Sequence, residues 1–311
     1  MVANPRPEMA YLPDIFLEEL EWRQREKAHQ CRVREWVAAH LHRRSHHQAH
    51  PVEDFLFEYY AYRPSQLLRW HPGVGVGLLG MSAEGFLDRK GYVRVAAQVF
   101  ASVVGISPKR RVGLAWIRDL LLSIERRPAL FGCHGLHEWA MVYQTSQPRH
   151  AELPLRLSPK EIAEVVEDLP LVCTHYDAFR FFTSTARPLN HQQLVRESQP
   201  TFDQCGCLHA NMDLYKWAMK LQPFCPSELV ADCFLLARQI RELDMRASPY
   251  NLEAYGYSPI LIELPEGRRE YERRQREFAE RSKPLRARLR ELYDLVLAKV
   301  EDSPSPAPAF G

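Results

Sequence analysis

Glycine is scarce in this chain, 14 residues of 311, and no stretch is apolar for long. The first lack excludes collagen-like and glycine-rich low-complexity folds. The second excludes a membrane span, which needs about 20 consecutive apolar residues, so no membrane partner is expected. An excess of either charge is missing too. Lys and Arg number 41, Asp and Glu 39, and the formal net charge is +2. A bulk polycation is excluded, so nucleic-acid binding needs a local patch. Cysteines stand scattered at positions 31, 133, 173, 205, 207, 225 and 233. Their odd number fits a reduced cytoplasmic chain better than a disulfide framework. Met1 to Ala10 carries two prolines and no apolar stretch, which predicts no signal peptide. Neither a phosphate loop G-x-x-x-x-G-K-[ST] nor an H-E-x-x-H motif occurs. What the chain does have is 23 prolines and 13 histidines, six of them between His29 and His50.

Hydrophobic spacing predicts a mainly α fold, a single multi-helix domain with a small irregular or short-strand element. Helices are expected over 14–48, 52–62, 93–104, 109–126, 133–143, 158–169, 175–182, 211–221, 227–246 and 265–299, the last kinked or split at Pro284. Residues 1–50 are expected to form an N-terminal long helix, 51–300 a helical catalytic domain and 301–311 a disordered Pro/Ser tail. Glycines alternate with aliphatics from Gly73 to Leu79, as in a loop or a short two-stranded excursion near a ligand.

Several clusters could carry chemistry. His134 and His137 are three apart, share a face if helical, and stand beside Glu138. The plain alternative is a helix start and a hydrogen-bonded core histidine. His175 follows an extended segment and could be oriented by Asp177, which could equally be a cap. The segment from Asp203 to Asp213 packs in Cys205, Cys207, His209 and Asp213. Its Cys-x-Cys spacing is poor for structural zinc, but a His209/Asp213/Lys216 face with Trp217 beside a glycine turn suits an active-site edge. Thr183, Ser184, Thr185 and Arg187, followed by Asn190, could hold an anion or simply cap a helix. Arg238, Arg241, Glu242 and Asp244 pair within one helix, and Arg246 at its end could reach into a site. Trp70 and His71 meet a glycine-rich turn. The histidines from His29 to His50 read mostly as a solvated basic helix face, with His50 the exception. The last helix carries eleven basic and seven acidic residues between 265 and 299. Arg268 to Arg290 within it could track DNA phosphates, or lace a solvent-exposed helix with salt bridges.

The stretches His50–Phe57, Arg69–Gly73, Cys133–Tyr143, Cys207–Lys216 and Leu243–Tyr250 resemble a bacterial family whose members are commonly labelled 3-methyladenine DNA glycosylase. That resemblance implies hydrolysis of the N-glycosidic bond of an alkylated purine, without a cofactor. For that reaction Asp213 or Glu138 would steady the developing charge or activate water, and His209, His134 and His175 from the clusters above complete the candidate catalytic set. Trp70, His71, Tyr143, Arg187, Asn190, Lys216, Trp217 and Arg246 become candidates to hold the base and its phosphates. The competing expectation is a metal-dependent enzyme acting on a small molecule, with Fe or Zn on His134, His137, His175 and His209.

Overall fold

Trp22, His29, Val33, Val37 and His40 recur at helical spacing, and in the computed structural model they form the buried stripe of the first long helix. The structure describes residues 12–148 and 150–301. A short strand β1 (Ile15–Leu17) precedes that helix α1 (Glu19–Ser45). The expected single helix over 14–48 is therefore shorter at both ends. Asp14 does not cap it; its backbone N–H donates to the Gly75 carbonyl at 2.9 Å, at the start of the pairing that holds β1 in a sheet.

Two short helices follow, α2 (Phe55–Tyr59) and α3 (Pro64–Leu68), then β2 (Val76–Leu78), β3 (Tyr92–Val95) and β4 (Gln98–Ala101). The four strands lie in the order β1-β2-β4-β3, with β1 and β2 parallel and the other pairs antiparallel. This corrects the helix expected over 93–104. Val93, Val95 and Val99 suit a pleated surface better than a helix, and Ala96 turns the hairpin with a φ of +52°.

The helical body comprises α4 (Pro108–Arg126), α5 (Leu136–Ala140), α6 (Pro159–Asp168), α7 (Tyr176–Phe179), α8 (Gln199–Phe202), α9 (Leu208–Leu221), α10 (Ser227–Arg246) and α11 (Pro265–Glu301). The fold is mainly α and forms one domain. Trp22, Val33 and Val37 of α1 join the same core as α9 and α10, so α1 is an integral part of it. Helix α9 is buried on almost every side, as a central helix must be; α4, α10 and α11 pack around it. Helix α11 runs through Pro284 without interruption, against the expected kink or split. Met1–Ala10 and the tail beyond Glu301 lie outside the described residues.

Candidate metal centre

Four segments converge at one buried point: α5, the extended run 171–175, the first turn of α9 and the last turns of α10. His134 at +45° and Gly135 at +73° both adopt left-handed φ angles, so α5 starts only at Leu136 and the helix expected over 133–143 is cut to five residues. A Cβ on Gly135 would meet the Tyr271 ring at 3.2 Å. The double left-handed turn points His137 inward and sends His134 against Tyr271, with ring centroids 6.5 Å apart. His134 and His137 therefore do not share a helix face, and His134 is not part of the cluster.

His137 Nε2 lies 3.0 Å from Asp244 Oδ2. His209 Nε2 lies 4.0 Å from the same oxygen. Donor atoms of His137, His209 and Asp244 all fall within 4.8 Å of one another. Tetrahedral ligands about 2.0–2.2 Å from a common ion stand about 3.3–3.6 Å apart, so closing the group on a metal takes a movement on the order of an ångström. Two imidazoles and a carboxylate suit Zn or Fe. Asp244 Oδ1 is buried without a hydrogen-bond partner, as are both ring nitrogens of His175. The His209 ring meets His137 edge-on at 4.4 Å and stacks on His175 at 5.3 Å.

Charge is arranged around these rings. Burial opposes protonation of His137, but the Asp244 carboxylate outweighs it and raises the pKa above its usual value. Burial, helped by the His137 charge, holds His209 well below the usual range. His209 is thus a neutral imidazole, the form that ligates. Arg241 Nη1 donates to Glu138 Oε1 at 2.8 Å and stands 3.8 Å from Asp244 Oδ2.

Two small cavities flank His209, each of about 20 Å³. That is room for one water. The first is lined by His137, Cys133, Cys173 and Cys207, among others. The second is lined by Glu138, Arg241, Tyr59 and Asp177.

Asp213 forms a hub beside the centre. It accepts from Tyr60 Oη at 2.8 Å and Lys216 Nζ at 3.0 Å, and His175 Nε2 stands 3.5 Å away. Burial pushes its carboxyl up, yet Lys216 and His175 hold it far below the ordinary carboxylate value. Asp177 does not orient His175; it pairs with Lys216 at 3.2 Å and Arg180 at 3.1 Å. His175 is instead placed by Asn190, whose side chain bonds both backbone groups of Cys173, at 2.8 and 3.1 Å.

Other expected site residues are dispersed. Trp70 donates to Glu228 and His71 faces Tyr92, both beside the sheet. Tyr143 donates to Glu167, Arg187 to the Arg180 carbonyl, and Arg246 to Ser258 and Glu242. Thr183 caps Ala186. His29 and His40 are buried, bonded to the Leu67 carbonyl and Asp54, so the early histidines are not all a solvated face. Lys216 and Trp217 line a wide surface cleft reached past Tyr59 and Asp177. Asp244 went unrecognised as a ligand. The available signal was its position: Val230, Cys233, Ala237 and Ile240 define a buried stripe of α10 that Arg241 and Asp244 extend.

Comparison with known proteins finds no matching family model, no matching curated protein and no matching solved structure.

Proposed function

We propose that the protein is a metal-dependent hydrolase whose metal is held by His137, His209 and Asp244. The observation that carries this reading is the approach of donor atoms of His137, His209 and Asp244 to within 4.8 Å, with His209 lining a cavity sized for one water. A divalent cation held by these three side chains would supply the Lewis acidity that lowers the pKa of a nearby water. Glu138 lines that same cavity and is the general base. Arg241, fixed by its bond to Glu138, faces the cavity and stabilises negative charge as it develops on the substrate.

Glu138→Gln keeps the shape and a hydrogen-bond acceptor for Arg241. It should retain metal while hydrolysis of activated p-nitrophenyl esters and phosphate esters falls by about 100-fold. His209→Ala should lose metal and hydrolysis together. Hydrolysis that continues undiminished in protein stripped of metal by a chelator overturns the reading.

A second reading, excision of an alkylated purine from DNA, is favoured by one observation. The cleft beside Asp177 is walled by Tyr59, Trp116 and Trp217, which suits an extruded base. Release of free base from alkylated DNA in the presence of chelator tests it; an inactive protein counts against it.

A further inference from the structure

The wide cleft has a volume of about 650 Å³, within the range of about 300–1,000 Å³ usual for small-ligand sites. Tyr59, Tyr60, Tyr62, Trp116, Tyr176 and Trp217 are among the residues that line it. The rings of Trp116 and Trp217 lie 6.0 Å apart at 69°, which makes a corner. Trp217 is buried and the Lys216 ammonium lies 4.4 Å over its ring, so the indole face open to a ligand is that of Trp116. Trp116 is 40% exposed on α4 and lines the cleft.

The charges lining the cleft do not cancel. Arg180, Arg196, Lys216 and Lys220 line it against Asp177 and Glu197. Asp177 is taken up by Lys216 and Arg180, and Lys216 also pairs with Asp213 behind the wall. Counting Asp213, four cations face three carboxylates. Arg196 and Lys220 have no carboxylate within ion-pair distance among the described residues and sit exposed on the cleft.

We infer that this cleft binds a planar aromatic molecule carrying an anionic group, a phosphate ester or a carboxylate. The ring stacks on the exposed Trp116 and the anion meets Arg196 and Lys220. The excess positive charge disfavours a cationic ring in the same place, and so weighs against an alkylated purine as the occupant of this cleft. Tyr59 and Asp177 line both this cleft and the cavity before His209, so a ligand bound here lies next to the metal centre. The inference rests on the cleft alone and not on the metal ligands.

Binding of adenosine 5′-monophosphate, 2-naphthoate and neutral adenosine to the full chain is measured by calorimetry and tryptophan quenching, with and without EDTA. At least one of the two anions should saturate the protein below about 1 mM, and bind about ten-fold more tightly than adenosine. Binding of the nucleotide alone identifies a phosphate ester as the ligand class, and of naphthoate alone a carboxylate. Trp116→Ala and the double change Arg196→Ala with Lys220→Ala alter exposed side chains, and each should weaken binding about ten-fold. EDTA should leave it unchanged, which separates this result from the fate of the metal reading. Saturation by neither anion, wild-type affinity in both variants, or loss of binding in EDTA overturns the inference.

Discussion

His71 shows what burial does to a titrating side chain. Its ring is enclosed, with Nδ1 2.9 Å from Tyr92 Oη, and burial pushes its pKa down to about 3 from an ordinary 6.5. The folded ring stays neutral where the unfolded one takes a proton. Its contribution is thus complete above pH 6.5 and is lost progressively as pH falls toward 3. At pH 5 the loss amounts to about 2 kcal/mol. Urea unfolding of the His71→Asn variant between pH 7 and pH 4 should show a flatter decline than the parent; parallel curves contradict the assignment. Asn190 acts at the same scale by a different means. Its carboxamide takes the place of a neighbouring strand for Cys173 and so fixes the segment that delivers His175.

At the scale of elements, the loop before α9 decides where His209 points. Gln204 accepts from Leu130 N–H at 2.9 Å and donates to the Leu130 carbonyl at 3.2 Å. Gly206 fits beneath this clamp: a Cβ there would lie 2.6 Å from the Leu130 carbonyl oxygen. Gly206→Ala should therefore destabilise the protein by about 1–3 kcal/mol and weaken metal binding, read by thermal unfolding and metal titration. An unchanged melting temperature refutes the packing argument. The long helices were legible in the sequence because α4, α10 and α11 repeat apolar residues at helical spacing, and because Ser158 and Glu161 of α6 form the expected capping box. The β3–β4 hairpin was not legible. Four or five residues of Val-rich sequence fit either period, and the pairing that settles it is long-range. The candidate site was half legible: His137, His175 and His209 were singled out. Asp244 was not, since Arg241 and Asp244 read as a helix pair until burial is known. His134 was misplaced by the two left-handed residues at the start of α5.

At the scale of the whole molecule, positive charge is spent largely on the protein itself. Along α11, Arg269, Arg273, Arg274, Arg276 and Lys283 pair with glutamates three or four residues away, Arg290 pairs with Glu125 and Asp294, and Arg286 is buried against Asn211. A phosphate contact by these side chains competes with pairs already formed, so the helix reads as a salt-laced outer wall. Arg196 and Lys220, which form no ion pair among the described residues, lie at the aromatic cleft, next to the histidine cluster where α5, α9 and α10 meet. The central claim concerns that cluster. The purified protein is stripped with chelator, incubated with Zn²⁺ or Fe²⁺ under reducing conditions, freed of excess ion and assayed for metal, beside folded His209→Ala and Asp244→Asn variants. The account predicts about one tightly held metal ion per chain in the parent and a large loss in both variants. Equal metal content in parent and variants, or none in the parent, contradicts it.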